Sequence, residues 1–269
     1  VFPPMFIIMG ITFGLGSGAT TVIAQSIGEK NKQKADNSAE HIIVLGLLLS
    51  LFFVLIGIFF GDYIIKSQTE DYNALSNASD YFYTMLYGTP FMILSIFFRS
   101  ILSGEGDNMM PMKVLGFGTL VNLLLDPLFI YYFAIKGAAI ATVISQATVF
   151  LIFIYLMIIK DRNYISLDLN NFKYNSKIFS NILKIGIPAS LSMLIMSLGL
   201  FFYNMILNQT EYSSNAIAAY STCHRIEHLF FIPIISLATS MVTLIGMFYG
   251  AKKINLITDL IYFSIKVSV

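Results

Sequence analysis

Apolar runs long enough to cross a bilayer recur along the chain, parted by short polar stretches. They fall at residues 2–27, 41–60, 81–102, 112–132, 137–159, 185–207 and 215–249, with an eighth beginning at 254. A helix of about 20 apolar residues spans a hydrocarbon layer of about 30 Å. No stretch shows the ten-residue alternation of a membrane β-barrel. The pattern predicts an all-α polytopic membrane protein with about eight membrane-spanning helices. The first run starts at the first residue and the last is cut by the end of the chain, so the sequence reads as a fragment of a longer protein. No basic start followed by a cleavage site marks a signal peptide.

Small residues and prolines punctuate the runs. Gly10, Gly14 and Gly18 lie four apart in the first span, a spacing that lets helix backbones approach closely in lipid. Packing is their expected role, with bending during a conformational cycle as the alternative. Gly88-Thr-Pro90 predicts a kink in the third span. Residues 160–184 form the longest polar connection. Its end, Ser176 to Lys184, carries an apolar face at helical spacing and predicts an amphipathic helix on the membrane surface.

Composition agrees: only 12% of residues are charged, about half the share in soluble domains, and mean hydropathy is +0.76. A net charge of +1 gives no lead toward nucleic acid. Cys223 is the only cysteine, which excludes an internal disulfide and any cysteine-rich metal motif. Placement of charge says more. Lys and Arg number about eleven in the connections after the first, third, fifth and seventh spans, against two, Lys66 and Lys136, on the other side. The basic side is cytoplasmic by the positive-inside rule.

The fourth span holds a carboxylate. In Asn122-Leu-Leu-Leu-Asp126-Pro127 the amide and the acid are four apart and share one helix face. A charge at membrane depth is costly and is usually kept for function. Pro127 lacks an N–H and is expected to loosen the helix beside the acid. A turn near residues 133–136 brings back the next span, Gly137-Ala-Ala-Ile-Ala-Thr142, which puts Thr142 at a depth similar to Asp126. An acid, an amide and a hydroxyl can converge there, roughly 10 Å below the outer surface by helix rise. The plainer reading is a helix-end Asp at the headgroup level. Arg99 is expected to neutralise the acids of the turn Ser103-Gly-Glu105-Gly-Asp107 or to snorkel to the interface. Arg225 and Glu227 fit either a helix end above the lipid or a water-filled cavity. His224 and His228, one turn apart beside Glu227, are the only candidates for a metal-dependent membrane enzyme, and no second His or acid cluster accompanies them.

A weak repeat runs through the chain. The segment from Ser17 to Lys30 can be laid over that from Thr239 to Lys252, and Thr21/Thr243, Ile23/Ile245, Gly28/Gly250 and Lys30/Lys252 coincide. Both copies cross in the same direction, so the repeat is parallel and makes six helices one unit. The expected organisation is a first lobe at 1–160, a cytoplasmic connection at 161–184, and the start of a second lobe at 185–269.

These segments resemble the multidrug and toxic compound extrusion (MATE) family. The resemblance rests on Gly28-Glu-Lys-Asn-Lys, on Arg99-Ser-Ile-Leu-Ser-Gly-Glu-Gly-Asp107 with Met110-Pro-Met112, on Leu125-Asp-Pro-Leu-Phe129, and on Gly137 to Thr142, in that order. It implies a MATE-like two-lobe helical bundle, with this chain covering the second to ninth of twelve helices. The Asn122/Asp126 pair is similar to that of the archaeal and DNA-damage-inducible-protein-F-like branch. There an Asn and an Asp on the fifth helix and a Thr on the sixth form a cation site, which assigns ion coupling to Asn122, Asp126 and Thr142. The family site also uses an Asp of the first helix, which this chain lacks. The resemblance implies a Na+- or H+-coupled antiporter in the cytoplasmic membrane that exports small organic compounds, organic cations among them. It implies no cofactor beyond the coupling ion and no nucleic-acid partner. The alternative within the superfamily is a lipid-linked oligosaccharide flippase, which a basic cavity would favour; Arg225 is the only candidate for one.

Overall fold

The structure is a computed structural model describing residues 2–66, 72–160, 164–169, 172–207 and 213–268. Within these residues the chain forms helices α1 (Phe2–Gly28), α2 (Lys32–Lys66), α3 (Tyr72–Glu105), α4 (Met109–Ile154), α5 (Ser176–Leu207), α6 (Ser213–Gly250) and α7 (Ile254–Ser268), and no strand. Six of the described helices are long and apolar enough to cross a membrane. The protein is a multi-pass helical membrane protein, as the hydropathy pattern predicts.

Several helices outrun their apolar cores because polar caps start them early. Asn31 Oδ1 accepts the Lys34 N–H at 2.9 Å, so α2 begins nine residues before the apolar run at 41. Asp107 Oδ1 accepts from Met109 and Met110 N–H at 2.9 and 3.0 Å and opens α4. Asn175 Oδ1 accepts from Lys177 N–H at 3.0 Å and opens α5. The segment from Ser176 to Lys184 is not a separate surface helix. It forms the first turns of α5, with Ile178 and Ile182 buried in the core. The apolar face seen in the sequence packs against protein.

The fourth and fifth predicted spans are the two arms of α4. The helix reverses at Ala134, whose backbone is non-helical (φ 49°, ψ −131°). Gly137 allows the reversal to be tight, because a Cβ there would run into the Phe129 carbonyl. Farther along, a Cβ on Gly118 would meet Val149 Cγ2. The arms are thus antiparallel and close-packed. A π-helical turn, Tyr155–Ile159, ends the second arm.

Helix α1 is the centre of the bundle. The glycine stripe of its sequence is a packing surface: Gly10 lies against Met193, Gly14 against the Ser190 backbone, and Gly18 against the Ile182 carbonyl and Gly186, all on α5. Ser190 Oγ donates to the Ile11 carbonyl at 3.1 Å. On another side Thr20 Oγ1 donates to the Ser100 carbonyl of α3 at 2.9 Å. Such contacts carry helix association in lipid, where small residues and side-chain hydrogen bonds replace the hydrophobic effect.

The connection after α4 is pinned to the ends of α2 and α3. Ile165 N–H donates to Glu105 Oε1 at 2.6 Å and Ser166 N–H to Asp36 Oδ1 at 3.0 Å. Asp168 N–H donates to Glu40 Oε1 at 3.3 Å, and Asn175 N–H to His41 Nε2 at 2.9 Å. The acids of the turn after α3 are therefore taken up by backbone N–H groups, Asp107 at the α4 cap and Glu105 at Ile165. Arg99 forms neither of the two ion pairs among the described residues, Lys34–Glu29 and Lys136–Asp80.

Candidate ion-coupling site

On the first arm of α4, Gly118, Asn122, Leu125, Asp126 and Phe129 follow helical spacing and form the less exposed stripe. Leu120, Leu123, Leu124 and Leu128 lie on the exposed side, where lipid would cover them. Asn122 and Asp126 are half-buried and lie on the stripe that carries the arm-to-arm contact.

The pair is formed. Asn122 Nδ2 donates to Asp126 Oδ1 at 3.2 Å. The sequence spacing puts the two on one face, and the structure brings their side chains within hydrogen-bond range. A carboxylate that accepts one amide N–H keeps three further lone-pair sites for a proton or a cation.

The backbone keeps helical dihedrals through Pro127, and the turn expected near 133–136 comes at Ala134. Pro127 still donates no N–H to the Leu123 carbonyl one turn back, so a carbonyl near Asp126 lacks its helical partner.

Thr142 lies on the second arm, half-buried. The Gly137–Phe129 and Gly118–Val149 contacts fix the register of the arms. At about 1.5 Å rise per residue, that register leaves Thr142 within roughly one turn of Asp126 in depth. Its hydroxyl donates to the Ala138 carbonyl at 2.9 Å, and its own carbonyl accepts from Ser145 Oγ at 2.8 Å. The Asn122–Asp126 bond is made without it. Gly88 of α3 packs on Val143, next to Thr142, so α3 backs the second arm at this level.

The other sequence candidates are elsewhere. Helix α6 includes Arg225, His224 and His228, but their side chains lie outside the described residues. The cluster of Asp36, Glu40, His41 and Glu105 that pins the connection escapes sequence reading. Its partners are 60 to 134 residues away in the chain, and nothing local marks them.

Comparison with known proteins gives one answer. The chain matches the MatE family over residues 3–128 and 188–269. Asn122 and Asp126 lie inside the match and Thr142 outside it. The "Multidrug export protein MepA" of Staphylococcus aureus is 30% identical over 253 residues, covering 93% of this chain and 55% of the relative. The "Probable multidrug resistance protein YoeA" of Bacillus subtilis is 27% identical over 270 residues, covering 97% and 58%. Among solved structures, an outward-facing multidrug resistance MATE transporter of the MOP superfamily superimposes with a TM-score of 0.93 at 30% identity, covering 99% of this chain and 59% of that one. A MOP superfamily transporter from Pyrococcus furiosus gives 0.93 at 31%, covering 99% and 59%. The chain thus spans a little over half the length of the relatives it matches. With the family matched on both sides of the central connection and the bundle superimposing over its whole length, this chain belongs to the MatE family of membrane transporters.

Proposed function

We propose that the protein to which this chain belongs is a cation-coupled antiporter. It would export small amphipathic organic compounds, organic cations among them, across the cytoplasmic membrane by alternating access of two lobes. The lobes would be those expected from the sequence, residues 1–160 and 185–269, joined by the connection at 161–184. The observation that carries the reading is the Asn122–Asp126 pair, half-buried on the packed stripe of α4. The names of the relatives, both multidrug resistance or export proteins, support the substrate class.

Sodium and hydrogen ions both suit this donor set. Asp126 supplies charge, while the Asn122 carbonyl and the Thr142 hydroxyl supply neutral oxygens, the ligand type of hard cations. A bare carboxylate is costly in a low-dielectric lobe, whereas an ion-paired or protonated one is not. The coupling ion shifts the conformational equilibrium only by its differential affinity for the two states, and a carboxylate that must be neutralised in one of them provides it. The chemistry is ion exchange and translocation; no bond is made or broken in the substrate, and no cofactor is required.

The test is export of a fluorescent organic cation from vesicles holding the full-length protein, under an imposed sodium or proton gradient. Export that follows one of the gradients is expected. Export indifferent to both gradients would overturn ion coupling.

A further inference from the structure

We infer that the crossing of α1 and α6 at their cytoplasmic ends is a two-fold glycine seal, which closes this side of the protein and has to part for a substrate to enter from the cytoplasm. This deepens the transport reading proposed above and rests on it.

The contact is made twice in the same way. A Cβ on Gly28 would run into the Met247 carbonyl, and a Cβ on Gly250 would run into the Gln25 carbonyl. The offset that relates Gly28 to Gly250 also relates Gln25 to Met247, so the two contacts exchange roles. It is the offset of the repeat seen in the sequence. Between them Gly246 rests on Ala24, where a Cβ would be 2.8 Å from the Ala24 Cβ.

The helix ends repeat as well. Lys30 and Lys252 both take a left-handed backbone, with φ 59° and 58°. Lys30 N–H donates to the Ile27 carbonyl at 2.9 Å and Lys252 N–H to the Tyr249 carbonyl at 3.0 Å. Asn31 N–H donates to Ser26 and Lys253 N–H to Phe248, both at 2.9 Å. Two helices with the same termination, each presenting a glycine to the other's carbonyl, meet across a local two-fold axis.

The seal is backed by α3 at this end. Thr243, 2% exposed, donates its hydroxyl to the Ser103 carbonyl at the end of α3, at 2.8 Å. Met247 reaches Gly106 in the turn after α3. A cleft of about 500 Å³, walled by Thr21 and Gln25 on one side and Met241, Ile245 and Tyr249 on the other, flanks the crossing. Backbone meeting backbone through glycine leaves no side chain to rotate aside. The contact is therefore either made or broken, a bistable element of the kind a switching transporter needs.

The experiment uses the full-length protein with Cys223→Ser. Lys30→Cys and Lys253→Cys, both exposed at the crossing, carry spin labels for distance measurement or a bismaleimide cross-link. Sodium or pH steps are expected to move the protein between a short and a long label distance. Gly28→Val and Gly250→Val should each remove the short component and lower export at least tenfold. Gly116→Val, where a side chain meets open space, should change neither. Cross-linking should stop export. Persistence of the short component in both valine variants would overturn the seal. Export at the normal rate by cross-linked protein would overturn it too, and would leave the transport reading standing. A protein that exports nothing but still switches distance supports the seal and removes the transport reading. Should the valine variants fail to fold, the cross-link in the glycine-intact protein decides.

Discussion

Asn122 and Asp126 are joined across one helical turn, amide nitrogen to carboxylate oxygen, at 3.2 Å. The bond fixes one carboxylate oxygen and aims the other away from the amide. Asp126→Asn keeps the size and removes the charge, so coupled export from vesicles should fall to background while the protein stays folded. Asn122→Ala deletes one neutral partner, worth about 0.5–1.5 kcal/mol, so the apparent affinity for the coupling ion should fall by a few-fold to about tenfold. Thr142→Ala should have a similarly mild effect. Normal transport by Asp126→Asn with unchanged gradient dependence would make Asp126 structural.

Gly137 and Gly116 sit on the same helix and should respond in opposite ways. A side chain at 137 meets the Phe129 carbonyl and the Ile130 N–H, backbone that cannot rotate away. Gly137→Val should split the hairpin and abolish accumulation of folded protein. Gly116 faces open space. Gly116→Ala should be neutral or raise stability by up to about 1 kcal/mol through helix propensity. Thermal unfolding in detergent by size-exclusion recovery reads both.

His41 is 2% exposed and bonded on both ring nitrogens, Nδ1 to the Asn37 carbonyl at 2.7 Å and Nε2 to the Asn175 N–H at 2.9 Å. It also meets Phe172 edge-on, ring centres 4.8 Å apart. The bonding requires a neutral ring with its proton on Nδ1. His41→Ala leaves the Asn175 N–H without its acceptor, at a cost of about 1–3 kcal/mol before the lost packing is counted. Asn175 caps α5, so limited proteolysis of the connection should speed up. An unchanged melting point and cleavage rate would show the latch to be dispensable.

Topology can be read by labelling. In a Cys223→Ser background, a cysteine in place of Ser166 should react with an impermeant maleimide only from the cytoplasmic side. One in place of Ser76 should react only from outside. The Lys136–Asp80 ion pair, at 3.3 Å, already places the α4 reversal and the start of α3 on one side. The opposite labelling pattern would invert the charge-based orientation.

Spans and side chains were not equally legible in the sequence. Among the described residues, the six helices long and apolar enough to cross a membrane fall on the apolar runs, since a crossing must hide its backbone from lipid whatever its neighbours are. The ends of α2 and α5 were missed by several residues because caps such as Asn31 and Asn175 act beyond the apolar run. The Asn122–Asp126 bond was readable, being four residues apart on a helix. The turn in α4 was readable too, expected near 133–136 and found at Ala134; what the sequence does not show is how tight it is, which the packing of Gly137 on Phe129 decides. The bonds of Glu105, Asp36, Glu40 and His41 to the connection join residues far apart in the chain, and no local pattern encodes them. The repeat was visible as four coincident residues, but only their contacts give it a geometry.

The tight reversal at Ala134 bears on how the carboxylate reaches its place. A lone Asp at mid-membrane opposes insertion by about 2.5–3.5 kcal/mol on translocon scales. Here the two arms of α4 bury each other's backbones at Gly137 and Gly118 with scarcely a loop between them. A pair packed in this way is suited to insertion as one helical hairpin, with the exposed Leu120, Leu123, Leu124 and Leu128 offsetting the acid. The Asn122 amide is one turn away from the start, so the carboxylate arrives already hydrogen-bonded. Its partner on α4 needs no residue from the second half of the chain.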